Sequence, residues 1–238
     1  MDCAFGWGKA TQEEGFTKTC DSQALGKASG LMRIVAIADT HGYHNELVVP
    51  TGDVLVHCGD YSAQGTFRDL VEFNIWLGHQ SHQYKIVISG NHDQYASTVG
   101  PKTTKEFLSN AIYLENQGVY IEGKTFWGSP FTPKFGFWSF MKNRGDDISK
   151  VWQMIPQEVD MLITHGPPQG IGDSNVNHEL CGCYDLRQAI QRRRIAHHVF
   201  GHIHEGYGDY SLDTTKHHNC SVLDEHYELM NKPIVIDL

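Results

Sequence analysis

A chain of 238 residues is long enough for one sizeable domain, and 40 % hydrophobic with 20 % charged residues describes a folded protein rather than a disordered one. A net charge of -9 without a long Lys/Arg run excludes an extended cationic footprint for nucleic acid, and no apolar stretch approaches the roughly 20 residues that span a bilayer. Six cysteines form no CxxC pair and follow no secretory signal, so a reduced, cytoplasmic protein without disulfides is expected, with the Asn219-Cys220-Ser221 sequon unmodified. Residues 1–30, with five glycines among scattered charges, read as a loosely held extension, and residues 31–238 as the domain. In the domain, Val- and Ile-rich runs at 34–38, 54–56, 86–88, 161–163 and 199–200 predict strands buried on both faces. Helices are expected at 67–77, 103–108, 147–155 (capped by Asp146) and 184–193, the last ending in a solvated cluster, Arg192-Arg193-Arg194. Pro233 opens a closing strand that runs to Leu238. This alternation signals an α/β fold.

Each apolar run is followed at once by a short polar signature. They are Asp39-Thr40-His41-Gly42, Gly59-Asp60, Gly90-Asn91-His92-Asp93, His165-Gly166-Pro167-Pro168 and Gly201-His202-Ile203-His204. Ligands of α/β sheets gather outside the carboxyl ends of strands, so these ends converge on one site if their strands are neighbours. In extended backbone, residues two apart share a side, so Asp39 with His41, and His202 with His204, reach a common place. On a helix each pair would diverge by about 200°. Asn91 and His92 are adjacent and point differently, which leaves one for metal and the other for substrate.

Asp39, His41, Asp60, Asn91, His165, His202 and His204 offer nitrogen and oxygen donors without thiolate, a set that suits Mn, Fe or Zn in an open catalytic site. Seven donors exceed the needs of one ion. A carboxylate bridging two cations about 3.5–4 Å apart is the usual device of two-metal hydrolases, and Asp60, alone in its motif, is the natural bridge. His44 and Asp93 lie beside motifs and are candidates to support the ligands. The aromatic stretch Phe131, Phe135, Phe137, Trp138 and Phe140 is either a base-stacking wall or, as the favoured reading, core packing or a covering loop.

The five signatures resemble the motifs of calcineurin-like metallophosphoesterases. The runs Gly128-Ser129-Pro130, Thr164 to Pro168 and Phe200 to Gly208 are most similar to the metallophosphoesterase-domain-containing (MPPED) group, from about residue 31 onward. The resemblance implies a four-layer αββα sandwich of two mixed β-sheets flanked by helices. By it, Asp39, His41, Asp60 and His204 bind one divalent ion and Asp60, Asn91, His165 and His202 the second, with Mn favoured over Fe or Zn. It also makes His92 the substrate-facing histidine. The expected activity is hydrolysis of cyclic or other small nucleotides by a metal-bridging hydroxide, with His92, Asp60 and Asn91 as catalytic residues and His92 protonating the leaving group or only touching phosphate. A phosphomonoesterase, including a protein phosphatase, has the same metal centre. A nucleotide-binding regulator with weak residual activity is the alternative from another class. No stable nucleic-acid or membrane partner is expected, and the oligomeric state is open.

Overall fold

Alternation along the strands builds the layers. Ile34, Ala36, Val54, Val56, Ile86 and Ile88 turn one way, into a core shared with Val119, Phe126, Met161, Ile163 and Val199. Val35, Ile37, Leu55 and Val87 turn the other way, onto Leu70, Phe73, Trp76 and Leu77. A third core joins Trp127, Leu162 and Ile195 to Ile148, Val151, Trp152, Leu186 and Ile190. Three cores need four layers, and the order is helices, sheet, sheet, helices, as expected.

The computed structural model describes residues 31–238 and the backbone of Phe16–Lys18; the rest of the 1–30 extension lies outside the described residues. The strands are β1 (Phe16–Lys18), β2 (Arg33–Ile37), β3 (Val54–Cys58), β4 (Tyr84–Ile88), β5 (Ile112–Tyr113), β6 (Gln117–Ile121), β7 (Lys124–Ser129), β8 (Thr132–Pro133), β9 (Met141–Lys142), β10 (Glu158–Thr164), β11 (Arg194–Phe200), β12 (Gly208–Leu212), β13 (Thr215–Asn219) and β14 (Ile234–Asp237). The helices are α1 (Phe67–His79), α2 (Gln94–Phe107), α3 (Asp146–Trp152) and α4 (Tyr184–Gln191). None is long and apolar enough to cross a membrane.

One sheet runs β14-β2-β3-β4-β5 and the other β1-β6-β7-β10-β11-β13-β12, while β8 and β9 pair apart from both. β2, β3 and β4 are parallel neighbours, so their carboxyl ends share one edge. β10 and β11 are likewise parallel neighbours in the other sheet. The two edges are stitched together by residues 220–222. Cys220 N–H donates to Phe200 O at 2.7 Å, Ala38 N–H donates to Cys220 O at 2.8 Å, and Val222 N–H returns to Ala38 O at 3.1 Å.

Several boundaries differ from the sequence expectation for physical reasons. α2 starts at Gln94, nine residues before the expected helix, because a kink at Gly100 (φ 78°, ψ 169°) splits it and Gly100-Pro101 reads locally as a boundary. Asp146 is the first residue of α3 and not its cap, a position held by Gly145 without a side-chain bond. The arginine cluster is not simply solvated: Arg193 donates to the carbonyls of Ile155 at 2.8 Å and Ala189 at 3.0 Å, closing the end of α4. The hairpins β6–β7 and β12–β13 were not expected: the apolar runs of the first are only two or three residues long, and the second is polar. Cys58, Cys181, Cys183 and Cys220 are free thiols, and Cys183 caps α4 by accepting from Leu186 N–H at 3.4 Å. Cys3 and Cys20 lie outside the described residues.

Candidate metal centre

The loops leaving β2, β3, β4, β10 and β11 meet at the shared edge of the two sheets, three from one sheet and two from the other. Their backbone is bent sharply. Asp39 (φ 54°), His41 (φ 41°), Asp60 (φ 57°) and His202 (φ 74°) all sit in the left-handed region, which side-chain-bearing residues occupy at a cost of about 1–3 kcal/mol each. This corrects the extended geometry expected from the sequence. Asp39 and His41 approach each other through two left-handed residues, and His204 opens a 3₁₀ turn after the bend at His202. Asp39 N–H to Gly59 O and His41 N–H to Asp60 O, each 3.0 Å, hold the first two loops together.

Glycines clear the space the side chains fill. A methyl group at Gly201 would overlap the Asp39 carboxylate, and one at Gly90 would overlap both Asp60 Oδ1 and the His165 ring.

All seven expected donors are brought together. Asp39, His41 and His204 place one donor atom each within 4.8 Å of one another, as do Asp60, His165 and His202. Asp60 also groups with His41 and His92 on the same scale, so it stands between the two clusters. Asn91 Oδ1 completes the second cluster, 2.8 Å from His165 Nε2.

The hydrogen bonds around these atoms fit a divalent cation. His165 gives its Nδ1–H to the Cys58 carbonyl at 3.0 Å and turns its Nε2 to Asn91 Oδ1 and to Asp60 Oδ2, 3.3 Å away, so either a ring proton or a cation in its place must sit between that nitrogen and the oxygens. Acceptors that face acceptors need positive charge among them. In the other cluster His204 gives its Nδ1–H to Asp224 O at 2.9 Å and turns Nε2 towards Asp39 Oδ1 at 3.9 Å. Asp39 Oδ1 and His41 Nε2 are buried without any hydrogen-bond partner, which is costly unless a cation takes their lone pairs.

Charge in the second cluster is tightly paired. Burial lowers the pKa of His165, but Asp60, and then Asp39, outweigh it and raise the imidazole to about 9. Burial raises the Asp60 carboxyl, yet His165, His41 and His92 hold it well below the usual carboxylate range. At His202 burial, and then His165, outweigh the pull of Asp60 and lower the imidazole to about 3. Burial also lowers His41, against the pull of Asp60 and Asp39.

Support around the donors comes from residues that the sequence did not single out. Ser221 Oγ donates to Asp39 Oδ2 at 2.6 Å, and His202 N–H donates to the same oxygen at 2.8 Å. Buried His57 bridges the first two motifs: its Nδ1 accepts from Gly59 N–H at 3.2 Å, and its Nε2 pairs with Thr40 Oγ1 at 3.0 Å. No local pattern marks Ser221 or His57, since both depend on distant strands. Asp93 does act as support, but on backbone rather than imidazole, accepting from Asp60 N–H at 2.9 Å, Gly90 N–H at 2.7 Å and Ser62 N–H at 3.0 Å. Burial and then Asp60 raise its carboxyl to about 8. His44 does not support the ligands. It is buried against Phe73 and Trp76 in the helix-side core, where desolvation lowers its pKa to about 4.

A cleft of about 660 Å³ opens over the centre, lined by His41, Asp60, Asn91, His92, His202 and His204 at its base. Trp138 lies 4.5 Å from the His92 ring, Phe135 lies 5.2 Å from His202, and Tyr227 lies 5.1 Å from His41. The aromatic stretch is thus divided: Phe140 is buried and Phe131 packs on the third core, whereas Phe135 and Trp138 are exposed at the cleft and Phe137 is exposed beside them in sequence. Of the favoured expectation, core packing or a covering loop, core packing holds for Phe131 and Phe140 and not for the other three.

Residues 32–206 match the sequence profile of the family described as calcineurin-like phosphoesterase. The chain is 39 % identical over 236 residues to metallophosphoesterase domain-containing protein 1 of Homo sapiens, covering 89 % of this chain and 72 % of that one. It is 35 % identical over 217 residues to the UPF0046 protein K07C11.7 of Caenorhabditis elegans, covering 86 % and 74 %. The solved structure of phosphopantetheinyl hydrolase from Mycobacterium tuberculosis shares the fold, with a TM-score of 0.62 at 14 % identity over 89 % of this chain and 97 % of that one. With its αββα layers and its converging Asp, Asn and His loops, the chain belongs to the calcineurin-like phosphoesterase family of metal-dependent phosphoester hydrolases.

Proposed function

We propose that this protein is a cytoplasmic phosphodiesterase acting on cyclic or other small nucleotides, with Mn the favoured metal. Asp39, His41, Asp60 and His204 hold one divalent ion, and Asp60, Asn91, His165 and His202 hold a second. The observation that carries this reading is the meeting of two donor clusters at Asp60, with Asp39 Oδ1 and His41 Nε2 buried and unpartnered. Cations held there supply Lewis acidity, which activates water and offsets negative charge on phosphoryl oxygens.

The residues of the chain do the rest. Asp60 Oδ1 accepts the His92 N–H at 2.7 Å, so the bridging carboxylate also fixes the backbone from which His92 projects into the cleft. In its protonated form His92 gives a proton to the departing ester oxygen. His92→Ala is expected to lower kcat by roughly 10²–10⁴-fold on substrates with alkoxide leaving groups. Elemental analysis should still find the same metal content, and unchanged turnover removes His92 from the mechanism. Ser221→Ala takes the hydroxyl from Asp39 Oδ2 and is expected to weaken metal binding by roughly 10–100-fold, read by competition with a chelator.

Charge at the cleft favours a diester over a monoester. Arg144 is the sole Lys or Arg among the described lining residues, and its guanidinium donates to Gly182 O at 2.7 Å and Cys181 O at 2.9 Å. Glu179, Glu205 and Glu225 line the same opening. Beyond the metal site, a dianionic monoester therefore meets acidic walls without a free Lys or Arg among the described lining residues, whereas a monoanionic diester meets less repulsion from those walls. The same acidity disfavours lasting contact with nucleic acid. The test is a turnover screen of metal-free protein on cyclic nucleotides, other diesters, nucleoside monophosphates and a phosphopeptide, with Mn, Fe, Zn and Mg added in turn. Preference for a monoester or phosphopeptide overturns the diester reading.

A further inference from the structure

Trp138, the one exposed tryptophan among the described residues, does more than line the cleft. Trp138 is half exposed, yet its ring lies 4.5 Å from that of His92 at a tilt of 31°. His92 also meets the ring of His41 edge to face, centroid to centroid 4.6 Å at 87°. The imidazole is therefore in contact with two rings, while its backbone N–H is tied to Asp60 Oδ1. No hydrogen bond to the His92 ring is found among the described residues that line the cleft, so ring contact is what sets its side-chain torsions. The loop that carries Trp138 is itself anchored to the motif: Ser139 N–H donates to Asn91 O at 3.2 Å, and Thr132 N–H donates to Phe140 O at 2.9 Å. Phe135, on the same loop, rests on His202.

We propose that Trp138 is a positioning residue that acts through His92, holding its imidazole in line with the departing ester oxygen. The inference rests on the reading of His92 as proton donor. As water oxygen bonds to phosphorus, the bond from phosphorus to the ester oxygen breaks, with its electron pair staying on that oxygen. The proton on the His92 ring passes to that oxygen, leaving neutral imidazole, and the proton shed by the attacking water restores the acid form through solvent. A ring free to swing loses this alignment, and misplacement of about 1 Å can cost on the order of 10²-fold.

The test is a double-mutant cycle on the metal-loaded protein, using two diesters: one with an alkoxide leaving group, and one with a nitrophenolate leaving group that departs without a proton. Trp138→Ala is expected to lower kcat for the alkoxide substrate about 10–100-fold and to change the nitrophenolate reaction less than about twofold. Trp138→Phe, which keeps a flat ring, is expected to recover most of the alkoxide rate. In the His92→Ala background, Trp138→Ala should cost nothing further. Equal losses on both substrates, or additive losses in the double variant, overturn the proposal, because Trp138 then acts by packing or substrate stacking. If His92→Ala itself spares the alkoxide reaction, the proton-donor reading fails first and this inference falls with it.

Discussion

Replacing Asp60 with Ala is expected to remove the capacity to hold two divalent ions and to lower turnover by at least about a thousandfold, the upper end of what one electrostatic stabiliser contributes. Asp60 is the group through which the two clusters meet. Its Oδ2 lies 3.3 Å from His165 Nε2 and 3.8 Å from His41 Nε2, and its Oδ1 accepts the His92 N–H. Truncation leaves two buried imidazoles without their counter-charge and one buried N–H without a partner. Asp60→Asn separates the causes, since an amide can still accept from His92 N–H but carries no charge to share between cations. The Asn variant should melt close to wild type while losing metal and turnover. Two ions retained by Asp60→Ala in elemental analysis would refute the bridge.

Gly201→Ala is the second large effect expected. Gly201 has no left-handed backbone to explain its lack of a side chain; a methyl group there would instead overlap Asp39 Oδ2 and lie 2.5 Å from Ala38 Cβ. Asp39 cannot yield easily, because the same oxygen accepts from Ser221 Oγ and His202 N–H. Overpacking of this kind costs about 1–3 kcal/mol of stability. Moving the carboxylate by a fraction of an ångström is expected to lower turnover at least about hundredfold. Gly123→Ala provides the contrast. Gly123 has φ 88° and only Tyr120 Oη near, at 3.9 Å, so alanine there strains a remote turn without reaching the site. It should lower the melting temperature and leave turnover intact. Wild-type turnover in Gly201→Ala would overturn the steric account of this glycine.

The donor set was legible in the linear chain because each donor follows a short apolar run, and a buried parallel strand must end at the same edge as its neighbour. Asp39, His41, Asp60, Asn91, His165, His202 and His204 could therefore be collected without knowing how the strands pair. The sequence also marked His92 as distinct from Asn91, since adjacent residues diverge whatever the backbone does. Its weaker inference was local geometry. The same-side argument for Asp39 with His41 and for His202 with His204 reached the right neighbours through the wrong backbone, because extended alternation is a default that tertiary contacts override, as where Asp39 and His41 N–H donate to the carbonyls of Gly59 and Asp60.

Tertiary structure decided what no local pattern encodes. Three of the donor loops belong to one sheet and two to the other, and the sheets meet by packing over a shared core, with residues 220–222 bonding to Ala38 and Phe200 at their common edge. Ser221, His57 and the carbonyls of Cys58 and Asp224 became partners of the donors only on folding, across separations of up to 182 residues. The same holds for the aromatic stretch, whose composition is equally suited to core or surface. Phe140 went to the core and Trp138 to the cleft because the pairing of β8 with β9 and the Ser139 bond to Asn91 orient that loop. By itself the sequence determined which atoms are available for chemistry, since that is a property of residue type and of strand ends. Their distances, their partners and the exposed face of Trp138 were decided by long-range packing, which fixes positions that local propensity leaves free.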